Sequence, residues 1–505
     1  MALAKFPSAG VEGIDALPVV VEVDVATGLP GFTVVGLADK AVEESRERVR
    51  SAIKHSGYTF PLSRITVHLA PSDRKKSGLH YDLPIALGIL VADGQLQIGA
   101  EHRKTLFLGG LSLDGRLQKS NGLLVLVEWA KKVGFEAVVL PRGNYQEAAL
   151  ITDITLVPLE SLNQAVDYLL GRFTPELPLP RRSKGTDAAA EDWLQIQGQE
   201  QAKRAALIAA AGGHNLLLEG PPGAGKTLLA RGLRALLPPL EYAELLEVTK
   251  LHSVAGSLRQ TQSIDTMTRP FRSPHHTTSH VAIVGGGPQA RPGEISLSHR
   301  GVLFLDELPE FPRVVVEALR QPLEDGEIFI SRAAQTARYP AAFILVATMN
   351  PCPCGWLGSN QKDCQCAPHE IARYRKRISG PIVDRIDIYL RVPAVSLTEL
   401  RQTTSHQEEL DRYRSLVAKT RRSSQKRNGG VLNGQIKSRS INDLCAVTQD
   451  ADDVLQRAAD KFVITGRGYH KLLKVARTIA DLADQEQISS AAISEALQYR
   501  FAADQ

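Results

Sequence analysis

The sequence predicts an α/β protein with an N-terminal α/β domain, a phosphate-loop core on a parallel sheet, and a C-terminal helical lid. Three observations predict it. Residues 220–227 read Gly-Pro-Pro-Gly-Ala-Gly-Lys-Thr, between the apolar run Leu216-Leu217-Leu218 and a helical stretch from Leu228 to Leu236. Strand-like and helical patterns alternate up to Arg172, and again from Gln197 to Pro393. From Ser396 onward the strand-like patterns stop.

The phosphate loop needs its strand–turn–helix setting to work, and it has it. Gly220, Pro221, Pro222, Gly223, Ala224 and Gly225 form a turn whose backbone N–H groups approach phosphate oxygens. Lys226 reaches the β- and γ-phosphates, the Thr227 hydroxyl takes a place on Mg²⁺, and the helix N-terminus adds positive partial charge. ATP with Mg²⁺ is the expected ligand.

In the first region, strands are expected over Val19–Val25, Phe32–Val35, Ile65–Leu69, Thr105–Gly109 and Ala137–Leu140. Helices are expected over Lys40–Ser56, Asp82–Asp93, Leu123–Val133 and Asn163–Leu170. The proline-bearing, polar stretch 173–191 reads as a linker, so the domains are placed at 1–172, 192–395 and 396–505. In the last of these, Leu397–Thr404, Gln407–Lys419, Ile441–Phe462, Gly468–Asp484 and Ser489–Phe501 read as helices, with Asn442, Thr465 and Ser489 or Ser490 as N-caps. Arg421–Arg439 reads as a basic loop.

Composition excludes several classes. With 505 residues, 43% of them hydrophobic and 23% charged, the chain can bury ordinary cores. No apolar run approaches bilayer-spanning length, and the N-terminal residues form no signal-peptide apolar region, so a cytoplasmic location is expected. The net charge of +5 permits a nucleic-acid partner without requiring one.

Gly301-Val-Leu-Phe-Leu-Asp306-Glu307 is a buried-strand pattern ending in two carboxylates. In a phosphate-loop enzyme Asp306 holds Mg²⁺ and Glu307 orients and deprotonates the attacking water. Phe343-Ile-Leu-Val-Ala-Thr-Met-Asn350 is a third core strand, whose terminal Asn350 would hold the lytic water or sense the γ-phosphate; Asn350-Pro351 also suits a plain turn.

Together these elements resemble the AAA+ ATPases. Gln197-Gly198-Gln199 resembles the adenine-side entry of that superfamily, and Ser379-Gly-Pro-Ile-Val-Asp384-Arg385-Ile-Asp387 the arginine-finger stretch of its MCM and magnesium-chelatase branch. The resemblance implies a finger acting on a neighbouring subunit, with Arg385 as first choice and Arg377 as second, unless Arg385 pairs with Asp384 or Asp387. Arg467, in Thr465-Gly-Arg-Gly-Tyr-His470, matches the second nucleotide sensor. A finger in trans implies a ring, most often a hexamer.

A closer resemblance spans essentially the whole chain. Gly212-Gly-His-Asn, Arg269-Pro-Phe-Arg-Ser-Pro-His-His276, Arg291-Pro-Gly-Glu-Ile-Ser-Leu, Leu305-Asp-Glu-Leu-Pro-Glu-Phe311 and Ala476-Arg-Thr-Ile-Ala-Asp-Leu482 are similar to the ComM/YifB family of magnesium-chelatase-like AAA+ proteins. That family implies a hexameric DNA helicase driving branch migration in homologous recombination and natural transformation. In the MCM and magnesium-chelatase branch that the chain resembles, inserts line the ring's pore. Here Glu327–Pro340 reads as a β-hairpin, with Arg332 and Arg338 as candidate phosphate contacts, and Lys250–Arg300 as a longer insertion carrying Arg272. An ordinary solvated hairpin fits the same residues. Arg373-Tyr-Arg-Lys-Arg377 adds positive charge, and aromatics at 5% are too sparse for a base-stacking platform. The adjacent His275 and His276 point to opposite faces if the segment is extended, a poor metal geometry.

Cys352, Cys354, Cys364 and Cys366 lie in one loop. Their Cx1C spacing departs from the usual zinc pattern, yet four thiolates make a tetrahedral Zn²⁺ site reachable, with His369 as a spare ligand; reduced, unligated thiols are the alternative.

Residues 15–170 resemble the Lon proteolytic-domain fold, through Lys76-Ser-Gly-Leu-His-Tyr-Asp-Leu-Pro-Ile-Ala and Phe107-Leu-Gly-Gly-Leu-Ser-Leu-Asp-Gly-Arg-Leu. The Ser–Lys pair is absent: Gly78-Leu79-His80 and Asn121-Gly122-Leu123-Leu124 stand at the matching positions, which implies an inactive fold used for assembly or DNA contact. A chelatase-type motor remodelling a protein partner is the competing expectation. No acidic, proline-rich linker or integrin-like metal domain follows the lid helices, and a Lon-like N-terminal domain is foreign to chelatase motors.

Overall fold

The computed structural model describes residues 3–178, 188–258, 268–287, 290–332, 335–359, 362–394, 407–461 and 464–500. Part of the expected linker, the boundary near 395 and the expected helix Leu397–Thr404 lie outside the described residues.

The N-terminal region is built on two larger sheets, beside a small antiparallel pair of Gly110–Leu111 with Leu117–Gln118. In the first, Ala4–Glu12 and Asp15–Ala26 form an antiparallel hairpin; Arg64–Ala70 pairs antiparallel to its second strand, and Gly31–Val35 closes the sheet in parallel. The second is parallel, in the order Thr105–Phe107, Ala137–Pro141, Thr155–Leu159. Helix Asp82–Ala92 is buried along nearly its whole length, as its run of Leu, Ile and Ala requires.

Among the strands that escaped the sequence reading are Ala4–Glu12 and Thr155–Leu159. Each contains a proline, Pro7 and Pro158, and each is an edge strand, where a missing N–H leaves no central ladder bond unmade.

The central region holds a five-stranded sheet in the order Phe271–Arg272, Val302–Leu305, Ile344–Met349, Leu216–Glu219, Ile388–Arg391, with every pairing parallel. The strands Leu216–Glu219, Val302–Leu305 and Ile344–Met349 are buried at every position, which explains their unbroken apolar runs. The hairpin Glu327–Arg332 with Gln335–Pro340 forms as expected.

The C-terminal region is helical, with corrections to the expected boundaries. The expected basic loop Arg421–Arg439 begins instead as helix, since Gln407–Arg427 is continuous. That helix packs across Glu200–Gly212 and Gly466–Leu482. Arg421 is buried, its Nε donates to Ala210 O at 2.8 Å, and burial pushes its pKa down to about 9. Arg427 forms a bidentate pair with Asp481 at 2.8 and 2.7 Å. These charges hold helices together and are not offered to a polyanion. Thr465 and Ser489 cap their helices, whereas Asn442 lies inside the short helix Ile441–Leu444, and a break separates that helix from Gln449–Lys461.

The N-terminal and central regions are packed together. Helix Tyr242–Ala255 lies on Leu123–Val133, with Leu245 and Leu246 against the cluster of Leu123, Leu124 and Val127. Gly122 N–H donates to Ser253 O at 3.0 Å, Ser253 Oγ to Glu147 at 2.5 Å, and Lys250 pairs with Glu128.

Trp193 is fully buried between its own helix Ala188–Leu194 and the phosphate-loop helix Lys226–Leu236, edge-on to Tyr413 with centroids 5.9 Å apart. Trp193→Ala is expected to cost about 3–5 kcal/mol of stability, read as a lowered chemical-denaturation midpoint by circular dichroism.

Candidate active site

The strand Leu216–Glu219 lies between Ile344–Met349 and Ile388–Arg391, so the chain leaves it at the carboxyl edge of the sheet. Val392 N–H bonds Glu219 O at 2.7 Å, and Gly220 N–H bonds Met349 O at 3.2 Å. A Cβ on Gly220 would sit 2.3 Å from Val392 O, so only glycine fits the first turn position. Gly225, at φ +78°, turns the chain into helix Lys226–Leu236 from the left-handed region. The loop is therefore shaped by backbone demands that the glycines meet.

Lys226 Nζ folds onto that loop. It donates to Gly220 O at 2.6 Å, to Pro221 O at 2.9 Å and to Asn350 Oδ1 at 3.1 Å. Burial lowers its pKa, with Asp306, Glu307 and Glu219 pulling the other way. Two sequence candidates from strands remote in the chain thus meet on one ammonium.

Thr227 Oγ1 donates to Asp306 Oδ2 at 3.3 Å. The two residues expected to hold Mg²⁺ are in direct contact, and a hydroxyl beside a carboxylate is an oxygen donor set suited to that hard cation. Glu307 follows at φ +56°, a rare conformation for a side-chain-bearing residue, with its backbone N–H on Thr348 Oγ1 at 3.0 Å and its carboxylate exposed. Gln199, also in the left-handed region at φ +56°, donates through its amide to Pro393 O at 2.8 Å, which closes the far side of the loop.

Residues that the sequence reading missed support this set. Thr348 hydrogen-bonds Asp306 through its hydroxyl while holding the Glu307 N–H. Its signal was present, as a hydroxyl in an otherwise apolar strand. Tyr374 OH accepts the Asn350 N–H at 3.3 Å, and burial pushes its pKa up to about 12. Buried Glu219 accepts from Tyr389 OH, with Arg375 3.6 Å away. Neither of these last contacts carries a sequence signal, because the partners come from distant segments.

The arginines are placed less freely than expected. Arg385 is tied down within its own subunit: Nε donates to Arg320 O at 3.1 Å, Nη1 to Pro381 O at 2.8 Å, and Nη2 pairs with Glu324. Its ion-pair partner is neither Asp384 nor Asp387. Asp387 instead accepts the Asn215 N–H at 2.9 Å and sits 3.7 Å from His214. Arg377 bonds Glu310 at 2.8 Å and is half exposed. Arg467 lies in the first turn of helix Gly466–Leu482, mostly exposed and 3.9 Å from Asp384. Lys471 of the same helix donates to Ile386 O at 2.9 Å, docking the lid on the Asp384–Asp387 segment.

Arg338 is exposed on the hairpin and pairs with Glu327; the Arg332 side chain lies outside the described residues. Arg272 is engaged by Glu294 at 2.5 and 2.6 Å, which makes it a structural residue of the edge strand in this chain. His275 and His276 do not lie on an extended segment. The segment turns, Thr278 N–H bonding His275 O at 2.9 Å, and the two rings lie 4.1 Å apart.

The four cysteines converge. Cys352, Cys354 and Cys364 sulfurs are 3.4, 3.6 and 3.7 Å apart, and all four ligand atoms lie within 4.8 Å of one another. A tetrahedral Zn²⁺ with Zn–S of about 2.3 Å places sulfurs about 3.8 Å apart, so the set fits. Leu357 N–H points at Cys352 Sγ and Cys354 N–H at Cys366 Sγ, each at 3.4 Å, as thiolate acceptors require.

Comparison with known proteins follows the same lines. Residues 192–400 match the family model described as magnesium chelatase, subunit ChlI; residues 21–144 match subunit ChlI of Mg-chelatase, and 407–500 its C-terminal model. The chain is 42% identical to Competence protein ComM of Haemophilus influenzae, covering 99% of this chain and 98% of that one. The chain belongs to the ComM/YifB family of magnesium-chelatase-like proteins. YifB of Salmonella typhimurium is 41% identical over 99% of this chain and 97% of its own. The magnesium-chelatase 38 kDa subunit of Cereibacter sphaeroides is 29% identical over 31% of this chain and 51% of its own. A chelatase-named model thus reaches into the N-terminal region, so that region does not by itself set the chain apart from chelatase motors.

No described helix is long and apolar enough to cross a membrane.

Lys226→Ala is expected to abolish ATP binding in a fluorescent-nucleotide titration. Thr348→Val is expected to keep nucleotide binding while lowering ATP turnover about tenfold or more, by releasing Asp306 and Glu307 from their shared hydroxyl; unchanged turnover would remove Thr348 from the site. Protein purified without added zinc is expected to hold about one Zn²⁺ per chain by elemental analysis, and a content near zero would leave the cysteines as free thiols.

Proposed function

We propose that the chain is an ATP-hydrolysing motor subunit that assembles into a ring, a homohexamer, and drives DNA strands during recombination and natural transformation, as a branch-migration helicase. The observation that carries the ATPase part is the meeting of Lys226 with Asn350, and of Thr227 with Asp306, at the carboxyl edge of one parallel sheet. The DNA and competence part rests on full-length similarity to a relative named a competence protein.

The chemistry follows from the residues. The N–H groups of Gly220–Thr227 and the Lys226 ammonium neutralise the ATP phosphates. Thr227 and Asp306 would hold Mg²⁺, which supplies further charge neutralisation when bound. Glu307, exposed and aimed by its own backbone bond, accepts the proton of the attacking water, and Asn350 orients that water. An arginine from the next subunit, Arg385 or Arg377, then meets the developing negative charge. Arg385 must first exchange its bonds to Glu324, Arg320 and Pro381, whereas Arg377 gives up one exposed ion pair. Arg467, on the lid, covers the phosphates. The four cysteines would hold Zn²⁺ and stiffen the loop between Asn350 and the arginine segment.

DNA would be held by phosphate contacts from exposed hairpin cations, Arg338 and Arg332, without base readout. The second reading, a chelatase-type motor remodelling a protein partner, is favoured by the chelatase models that match along the chain.

Wild-type ATPase is expected to rise several-fold with forked or single-stranded DNA and to fall by about 10²–10⁴ in Glu307→Gln with nucleotide binding kept. ATPase that DNA leaves unchanged would remove the DNA motor and favour the protein-remodelling reading. Wild-type turnover by Glu307→Gln would overturn its role as base.

A further inference from the structure

Two N-terminal segments, Gly78-Leu79-His80 and Lys119-Ser120-Asn121, meet at a cavity of about 340 Å³. That volume is in the range of a small-molecule site. Its floor comes from the N-terminal region, including Ser77, His80, Lys119 and Ser120; its roof comes from the central region, with Val254, Arg291 and Tyr339. The cleft therefore lies across the junction that Gly122, Ser253 and Glu147 hold together.

The polar groups are built in. Ser120 is 5% exposed and its backbone is clamped on both sides by buried Asn144, at 3.0 and 2.8 Å. Its Oγ nevertheless has no hydrogen-bond partner. His80 is 3% exposed, and a Cβ on Gly78 would come within 2.7 Å of its ring, so the glycine is what lets the ring lie there. The ring bonds the backbone of Ala9, and burial holds its pKa down to about 4, which keeps it neutral at pH 7. Its Nε2 is buried without a partner. With Ala9 O taking the ring's N–H, Nε2 is left as an acceptor. Two buried, unpartnered polar atoms in one cleft are costly unless something occupies it.

The charge of the cleft is one-sided. Lys119 and Arg291 line it, and no carboxylate does among the described residues. A smaller cavity shares Lys119 and Ser120 and reaches Glu147, but that carboxylate is already bound by Ser253 and Asn144. The lysine's field reaches Glu147 without neutralising the cleft, since the two make no ion pair within 4.0 Å.

We infer that this junction cleft binds a small anion that also carries an O–H group, a hydrogenphosphate or a hydroxycarboxylate. Lys119 meets the negative charge, Ser120 Oγ donates to it, and His80 Nε2 accepts the ligand's O–H. A ligand held this way is gripped by the N-terminal region and lies beneath Val254, Arg291 and Tyr339 of the central region. The inference stands apart from the DNA reading and does not need it.

The test is calorimetric titration of the full chain with the phosphate loop filled by magnesium and a non-hydrolysable ATP analogue. The probes are inorganic phosphate, malate and succinate, which is malate without its hydroxyl. Phosphate or malate is expected to bind saturably at about millimolar concentration or tighter, and whichever binds identifies the anion. Succinate is expected to bind at least about tenfold more weakly than malate when malate binds. Lys119→Ala and Ser120→Ala are each expected to weaken the bound probe about tenfold, with thermal midpoints near wild type; Lys119 is on the surface side, so its variant stays informative if Ser120→Ala misfolds. No saturable binding of phosphate or malate up to about 10 mM overturns the inference. So does binding that Lys119→Ala leaves unchanged, or equal binding of malate and succinate.

Discussion

The register among three central strands is the constraint on which the site depends. Glu219 stands opposite Met349 and Leu305 opposite Ala347, so the residues that follow, Gly220, Asn350 and Asp306, leave the sheet side by side. Ligand chemistry at the carboxyl edge of a parallel sheet needs this alignment. A slip of one residue would turn every side chain of these strands to the other face. The strands are buried at every position, and their two polar residues are tied to fixed partners: Glu219 accepts from Tyr389 OH, and the Thr348 hydroxyl binds Asp306 and the Glu307 N–H together.

Charge is distributed unevenly between structure and chemistry. Arg421, Arg427 and Arg477 are used inside the lid, as buried or half-buried links between helices and carbonyls. Arg272 is committed to Glu294 at the sheet edge. Arg338, Arg377 and Arg467 remain mostly or half exposed. A small net charge of +5 therefore conceals two populations of arginine, one that builds the fold and one available to partners. Only burial separates them, since both occur in basic stretches of the sequence.

The N-terminal region is part of the same solid body of contacts as the central one. Leu245 and Leu246 enter its core, and Ser253 enters its buried polar network through Glu147. Burial raises the Glu147 pKa against the hydrogen bonds of Ser253 and Asn144, so this junction is costly to separate and costly to leave half paired. The junction also encloses the cleft lined by His80, Lys119 and Ser120.

The sequence by itself determined the phosphate loop, the Asp306–Glu307 pair, the Asn350 strand end, the hairpin and most helices, because these depend on residues within one short segment. Glycine spacing, an apolar run and a terminal polar residue are local properties. It missed the strands Ala4–Glu12 and Thr155–Leu159, whose prolines suit only an edge, and it ended the helix Gln407–Arg427 early. Edge position and helix burial are set by neighbours far along the chain. Only the tertiary structure decided that Lys226 meets Asn350, that four cysteines close into one cluster, and that Arg385 is held by Glu324. The physical reason is common to all three: which charges and thiols face one another follows from how strands and helices pack, and packing is a property of the whole chain.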